Sequence, residues 1–130
     1  MERLRVLVGE DHPSMRGILV ELLSSDFEVV DAVSDGEQLV EAAVLLRPDV
    51  IVSDIAMPGK DGWSARTELL NKGIEIPFVF VTLLDPQVLS PNPVSYIHKL
   101  DISFELIHGV RVTAGGGTYH SRSFREAWGS

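Results

Sequence analysis

The chain is predicted to fold as an α/β domain, an open parallel sheet covered by helices on both faces. Three observations carry this reading. Strand-like apolar runs alternate with stretches of helical periodicity along most of the chain. Two of those runs, Val50-Ile51-Val52 and Phe78-Val79-Phe80-Val81, are apolar at consecutive rather than alternate positions, as strands buried on both faces are. With 130 residues, 45% of them hydrophobic and 23% charged, the chain has the size and balance of one domain with a sizeable core.

Residues 4–8, LRVLV, form the first strand and run into Gly9-Glu10-Asp11. Pro13 suits the first turn of a helix, and Met15, Ile18, Leu19, Leu22 and Leu23 follow at helical spacing. Residues 27–33 form the second strand. Ser34-Asp35-Gly36-Glu37 predicts a capping box, with Ser34 as the cap and Glu37 three residues on. The helix it opens carries Leu39, Val40, Ala43 and Leu46 on its apolar side and stops at Pro48. Residues 49–54 are the third strand, and residues 61–72 a helix closed by Gly73. Residues 77–82 and 94–98 are the fourth and fifth strands. Residues 103–114 are the last expected helix, ending in Gly115-Gly116-Gly117. Residues 85–93, DPQVLSPNP, break the rhythm. Three prolines in nine positions leave room for at most one helical turn where a crossover helix belongs.

Composition excludes several classes. A net charge of −8 argues against this segment serving as a DNA-binding surface, since phosphates need clustered Lys and Arg. No cysteine is present, so there is no disulfide framework and no thiolate metal site, consistent with a cytoplasmic setting. The longest apolar run, FVFVTLL, is far too short to span a bilayer, and the opening MERLRVLV does not read as a secretory signal.

In an open parallel sheet, ligand chemistry gathers beyond the carboxyl ends of the strands. Here those ends deliver Glu10 and Asp11 after the first strand, Asp54 after the third, Thr82 after the fourth and Lys99 after the fifth. Three carboxylates at one edge repel unless a cation sits among them, and a hard divalent ion such as Mg2+ takes oxygen ligands. A lysine and a threonine at the same edge suit a dianionic guest, for which a phosphoryl group is the natural candidate. Each residue alone has an ordinary explanation. The acid pair before Pro13 suits a helix N-terminus, Thr82 suits a strand, and Lys99 suits a surface. Specificity lies in the joint arrangement.

The stretches VLVGEDHPSMR, VIVSDIAMPGKDGW, FVFVT and YIHK, in this order, resemble the receiver domain of two-component response regulators over nearly the whole chain. DIAMPGKDG is close to that family's D-x-x-M-P-x-x-x-G phosphorylation loop. The resemblance implies a flavodoxin-like, doubly wound five-stranded parallel sheet of order 2-1-3-4-5, with the fourth helix shortened or missing. It implies Asp54 as phosphoacceptor for a sensor histidine kinase, and Thr82 and Lys99 as contacts for the phosphoryl oxygens. Glu10, Asp11 and Asp54, with the backbone carbonyl of Ala56, are then the Mg2+ ligands. Thr82 and Tyr96 are the switch pair, although Tyr96 is also an ordinary residue for a strand. The tail Leu106-Ile107 through GGGTYHS is similar to the last helix and linker of NarL/FixJ-type regulators of the LuxR-type helix-turn-helix class. The receiver domain is therefore expected over residues 1–116, with a flexible linker tail over 117–130. The expected output is transcription, through a DNA-binding domain outside this chain. A homodimer is allowed, and no membrane contact or enzyme activity is expected beyond self-phosphorylation and self-dephosphorylation.

Three departures from the family pattern qualify these expectations. Leu83 stands where a small residue usually follows the threonine, which predicts slow phosphorylation by small donors; an ordinary acetyl-phosphate rate would contradict it. The short Thr82-to-Lys99 segment weakens the usual signalling face. Ala56 and Leu84 offer an attacking water no polar help, which predicts a long-lived phosphoryl group, open to direct timing in Mg2+. Two alternatives follow: a receiver-like interaction module that signals without phosphorylation, and a Mg2+-dependent phosphatase. The second ranks low, because Ala56 replaces the Asp it needs two residues after Asp54.

Overall fold

The computed structural model describes residues 3–89 and 91–129. Five parallel strands, β1 (Arg5–Gly9), β2 (Glu28–Val33), β3 (Val50–Asp54), β4 (Phe78–Thr82) and β5 (Ser95–His98), lie in the order β2-β1-β3-β4-β5. The helices are α1 (Pro13–Ser24), α2 (Gly36–Leu46), α3 (Gly62–Asn71), α4 (Ile102–Ala114) and α5 (Arg122–Trp128). This is the expected doubly wound, flavodoxin-like sheet. Among its described residues, the connection from β4 to β5 holds only a 3-10 turn at Pro86–Val88, in keeping with its prolines.

Side-chain alternation along the strands divides the core in two. Val6, Val8, Val50, Val52, Val79, Val81 and Ile97 face α1 and α4, meeting Leu19 and Leu23 on the first and Leu106 and Val110 on the second. Leu7, Ile51, Phe80 and Tyr96 point the other way, towards Leu39 and Ala43 of α2, Ala65 and Leu69 of α3, and Phe124 of α5. β2 lies at one edge and is correspondingly less buried than β1 or β3.

Two expectations are corrected. The cap of α2 is Asp35, not Ser34: an Asp35 Oδ1 accepts from the Gln38 N–H at 2.8 Å, and Ser34 N–H instead donates to the Gln38 side chain. The acid one residue later wins because its extended backbone aims the carboxylate at the first turn. Nor is α4 the last helix. The stretch expected to be a flexible tail turns at Gly116 (φ +95°), runs beside β5 through a parallel bridge between Tyr96 and His120, and forms α5. Phe124 of that helix has no exposed surface, and Trp128 packs on the same cluster. α5 thus covers the part of the sheet for which the β4–β5 connection supplies no helix.

Candidate functional site

The strand ends bring together the residues singled out from the sequence. Glu10 follows β1 and is wholly buried. Asp54 ends β3 at 7% exposure, Thr82 ends β4 at 2%, and Lys99 follows β5 at 8%. Asp11, Asp54, Ala56, Thr82 and Lys99 line one cleft of about 830 Å3.

Local sequence sets each position. Pro13 starts α1 one residue beyond the acid pair, and the N–H of the intervening His12 donates to Glu10 Oε2 at 3.2 Å. Arg16, one turn into α1, donates to the Glu10 carbonyl at 2.9 Å and fixes the turn from behind. After β3 the chain folds back at once, and the Gly62 N–H donates to the Ile55 carbonyl at 2.7 Å. A Cβ at position 62 would lie 2.4 Å from the Asp54 carbonyl oxygen, so only glycine lets α3 begin so close to the site.

Lys99 holds the centre. Its Nζ donates to Asp54 Oδ2 at 2.7 Å and makes an ion pair with Glu10 Oε1, also at 2.7 Å. Burial pushes the Lys99 pKa down, but the carboxylates of Asp54 and Glu10 outweigh it and hold the ammonium above its ordinary range. The other Asp54 oxygen, Oδ1, accepts from Ala56 N–H at 3.2 Å. Thr82 Oγ1 accepts from Leu84 N–H at 3.0 Å, tying the strand end to the loop that follows.

One ammonium faces three carboxylates, Glu10, Asp11 and Asp54. Asp11 Oδ1 is buried without a hydrogen-bond donor, and Glu10 Oε1 has the Lys99 ammonium alone. Such oxygens are costly to bury unless a cation completes them. A donor set of carboxylate oxygens fits a hard divalent ion. His12 was not singled out from the sequence, yet it joins Glu10 and Asp11, with one potential ligand atom from each within 4.8 Å of the others. Its position directly after the acid pair was the available signal.

Leu83 is 65% exposed, and it and Leu84 line the cleft above Asp54. Tyr96 lies away from this edge, fully buried between Phe80, Trp63, His120, Phe124 and Trp128, with Asn92 donating to its hydroxyl at 3.0 Å. Burial raises its pKa, the Asn92 hydrogen bond opposing. The aromatic surroundings from α5 were not read from the sequence. Their only local trace is the pair Phe124 and Trp128, four residues apart on one helical face.

Comparison with known proteins agrees with this fold. The family model of the response regulator receiver domain matches residues 6–99. The response regulator GacA of Pseudomonas viridiflava is 31% identical over 125 residues, 91% of this chain and 58% of that protein. The transcriptional regulatory protein PdtaR of Mycobacterium tuberculosis is 39% identical over 79 residues, 60% of this chain and 38% of that protein. The chain therefore spans well under two thirds of the length of these relatives. Among solved structures, the NarL signal receiver domain of Mycobacterium tuberculosis superposes with a TM-score of 0.81 at 27% identity, covering 89% of this chain and 99% of that one. With the matched residues running from β1 to Lys99, and so through every strand end of the site, the chain belongs to the receiver domain family of two-component response regulators.

Proposed function

We propose that Asp54 is the phosphoacceptor of this receiver, taking a phosphoryl group from a sensor histidine kinase in the cytoplasm. The observation that carries the reading is the Asp54 carboxylate, anchored by the buried Lys99 ammonium and opening on a cleft also lined by Thr82. An Asp54 oxygen attacks the phosphorus of the kinase phosphohistidine. The P–O bond forms as the P–N bond breaks, and the histidine nitrogen keeps the electron pair. Lys99 turns its charge to the transferred oxygens, and the Thr82 hydroxyl donates to one of them. Glu10, Asp11, Asp54 and the Ala56 carbonyl are the residues that would hold Mg2+, which when bound supplies further neutralisation of the transferred group. The protein is then a switch rather than an enzyme acting on a separate substrate. Its output is transcription, as for the transcriptional regulatory protein PdtaR it resembles, through DNA-binding residues outside 1–130, with a homodimer as an admissible assembly.

The test is intact-mass analysis after incubation with acetyl phosphate and Mg2+. One phosphoryl adduct is expected on the natural chain and none on Asp54→Asn. An adduct that persists in the variant would move the acceptor elsewhere. The absence of a crossover helix among the described residues between β4 and β5 favours one second reading, a receiver that signals through protein contacts without phosphorylation. Failure of every donor, a cognate kinase included, would select it.

A further inference from the structure

The last helix is tied at both ends to the neighbours of the two residues that would grip a phosphoryl group. At its start, Ser121 Oγ accepts from the His98 N–H at 2.9 Å and donates to Asp101 Oδ2 at 2.6 Å. Asp101 also accepts from the Ser123 N–H at 3.0 Å. His98 and Asp101 flank Lys99 on either side. At the far end, Trp128 Nε1–H donates to the Pro86 carbonyl at 3.0 Å. Pro86 lies four residues after Thr82, in a loop whose Leu84 N–H is already bonded to the Thr82 hydroxyl. Between the two ties, Phe124 and Trp128 pack on Tyr96, with His120 stacked on its ring. The segment is joined to α4 through Gly115-Gly116-Gly117, and its seven helical residues are too few for a helix that stands without tertiary contacts.

We propose that residues 118–128 are a latch over the Tyr96 face whose opening is set by the state of Asp54: closed when Asp54 is free, and held less tightly when it is phosphorylated. The proposal rests on the reading of Asp54 as phosphoacceptor. In the free state Lys99 is held on Asp54 and Glu10, and the turn that carries Asp101 is held with it. An added dianion draws Lys99 and Thr82 towards new oxygens. Both movements act on the latch together, one through Asp101 on Ser121, the other through the 83–86 loop on Trp128. A local charge change thereby biases a discrete packing element. This use of α5 follows from the absence of a crossover helix among the described residues between β4 and β5, which leaves the Tyr96 face to be covered from elsewhere in the chain.

Hydrogen exchange followed by mass spectrometry on the full chain tests it, with the intact mass of each sample giving the phosphorylated fraction. Amides of residues 119–128 are expected to exchange about 5- to 150-fold faster in the phosphorylated protein, the range of ordinary coupling energies. Coupling is reciprocal for binding. Ser121→Ala and Trp128→Phe, which each cut one tie, are therefore expected to raise the affinity for beryllofluoride with Mg2+, a mimic of the phosphoryl group. An adduct on Asp54 with unchanged exchange in 119–128 and unchanged affinity in both variants overturns the latch and leaves the phosphoacceptor reading standing. No adduct and no beryllofluoride binding on the natural chain removes the phosphoacceptor reading, and the latch loses its input with it.

Discussion

Lys99 carries more of the site's stability than any carboxylate beside it, because among the described residues it is the only lysine or arginine paired with the Glu10 and Asp54 carboxylates. Removing one partner from a buried ion pair leaves an uncompensated charge, at a cost of about 3–5 kcal/mol. Lys99→Ala is therefore expected to lower unfolding free energy by about that amount in urea titrations. Asp54→Asn works in the other direction, since it keeps the Lys99–Glu10 contact and removes one of three crowded negative charges. A fall for Asp54→Asn as large as that for Lys99→Ala would refute this account of the cluster. The pH dependence follows from the raised Lys99 pKa. A folded-state pKa above the ordinary 10.5 means that the ammonium's stabilisation is complete below 10.5 and is lost only as pH rises through the higher folded value. The gap between the natural chain and Lys99→Ala should thus stay constant through neutral and mildly alkaline pH and close only in strong alkali.

At the scale of elements, α5 is attached by carboxylates, so acid should loosen it first. Burial pushes the Asp101 pKa up, but hydrogen bonds from Ser121 and the Ser123 N–H outweigh it and leave the carboxyl below its usual 3.8. Partial burial pushes the Glu105 pKa up likewise, yet Tyr119, the Arg122 N–H and Arg125 hold it below 4.5. Depressed values contribute stability above the unfolded-state pKa, and that contribution is lost as pH falls through the folded one. Below about pH 4 the amides of 119–128 are therefore expected to lose protection before those of β1 and β3. Simultaneous loss across the chain would show that these carboxylates do not govern the attachment. The strands, α1 to α4, the short β4–β5 connection and the placement of Glu10, Asp11, Asp54, Thr82 and Lys99 were legible in the sequence, because each rests on a local pattern: consecutive apolar residues, Pro13, or a polar residue at a strand end; His12 beside the acid pair was not. Helix α5 was not. Its seven residues carry no side-chain cap, since Ser121 spends its hydroxyl on Asp101, and its burial comes from β5, more than twenty residues earlier. The capping residue of α2 was missed by one position for a related reason, as Ser34 and Asp35 are both competent caps and backbone direction decides between them.

For the molecule as a whole, the consequence is where the folding unit ends. A boundary at residue 116, drawn from the glycines alone, would sever α5 from the core it completes. Residues 118–121 also cover the outer edge of β5, with Tyr96 N–H donating to the Tyr119 carbonyl and Ser121 N–H to the Tyr96 carbonyl, each at 2.9 Å. Without them, β5 would present an open edge, and Tyr96 and Phe80 would lose the cover of Phe124 and Trp128. Deleting a buried aromatic side chain alone costs about 3–5 kcal/mol. For a domain of this size each kcal/mol moves the melting temperature by roughly 4 °C, so a chain ending at Gly117 is expected to melt roughly 12–20 °C below the full one. Phe124→Ala within the full chain should account for most of that drop, since its side chain is the wholly buried contact of the helix. Differential scanning of the three proteins decides the matter. If the chain ending at Gly117 melts with the full one, the unit closes at the glycines and α5 is an ornament on it. If it melts as low as expected and Phe124→Ala follows, the segment after the glycines belongs to the receiver fold itself, filling by tertiary packing the place that the proline-rich β4–β5 connection leaves without a helix.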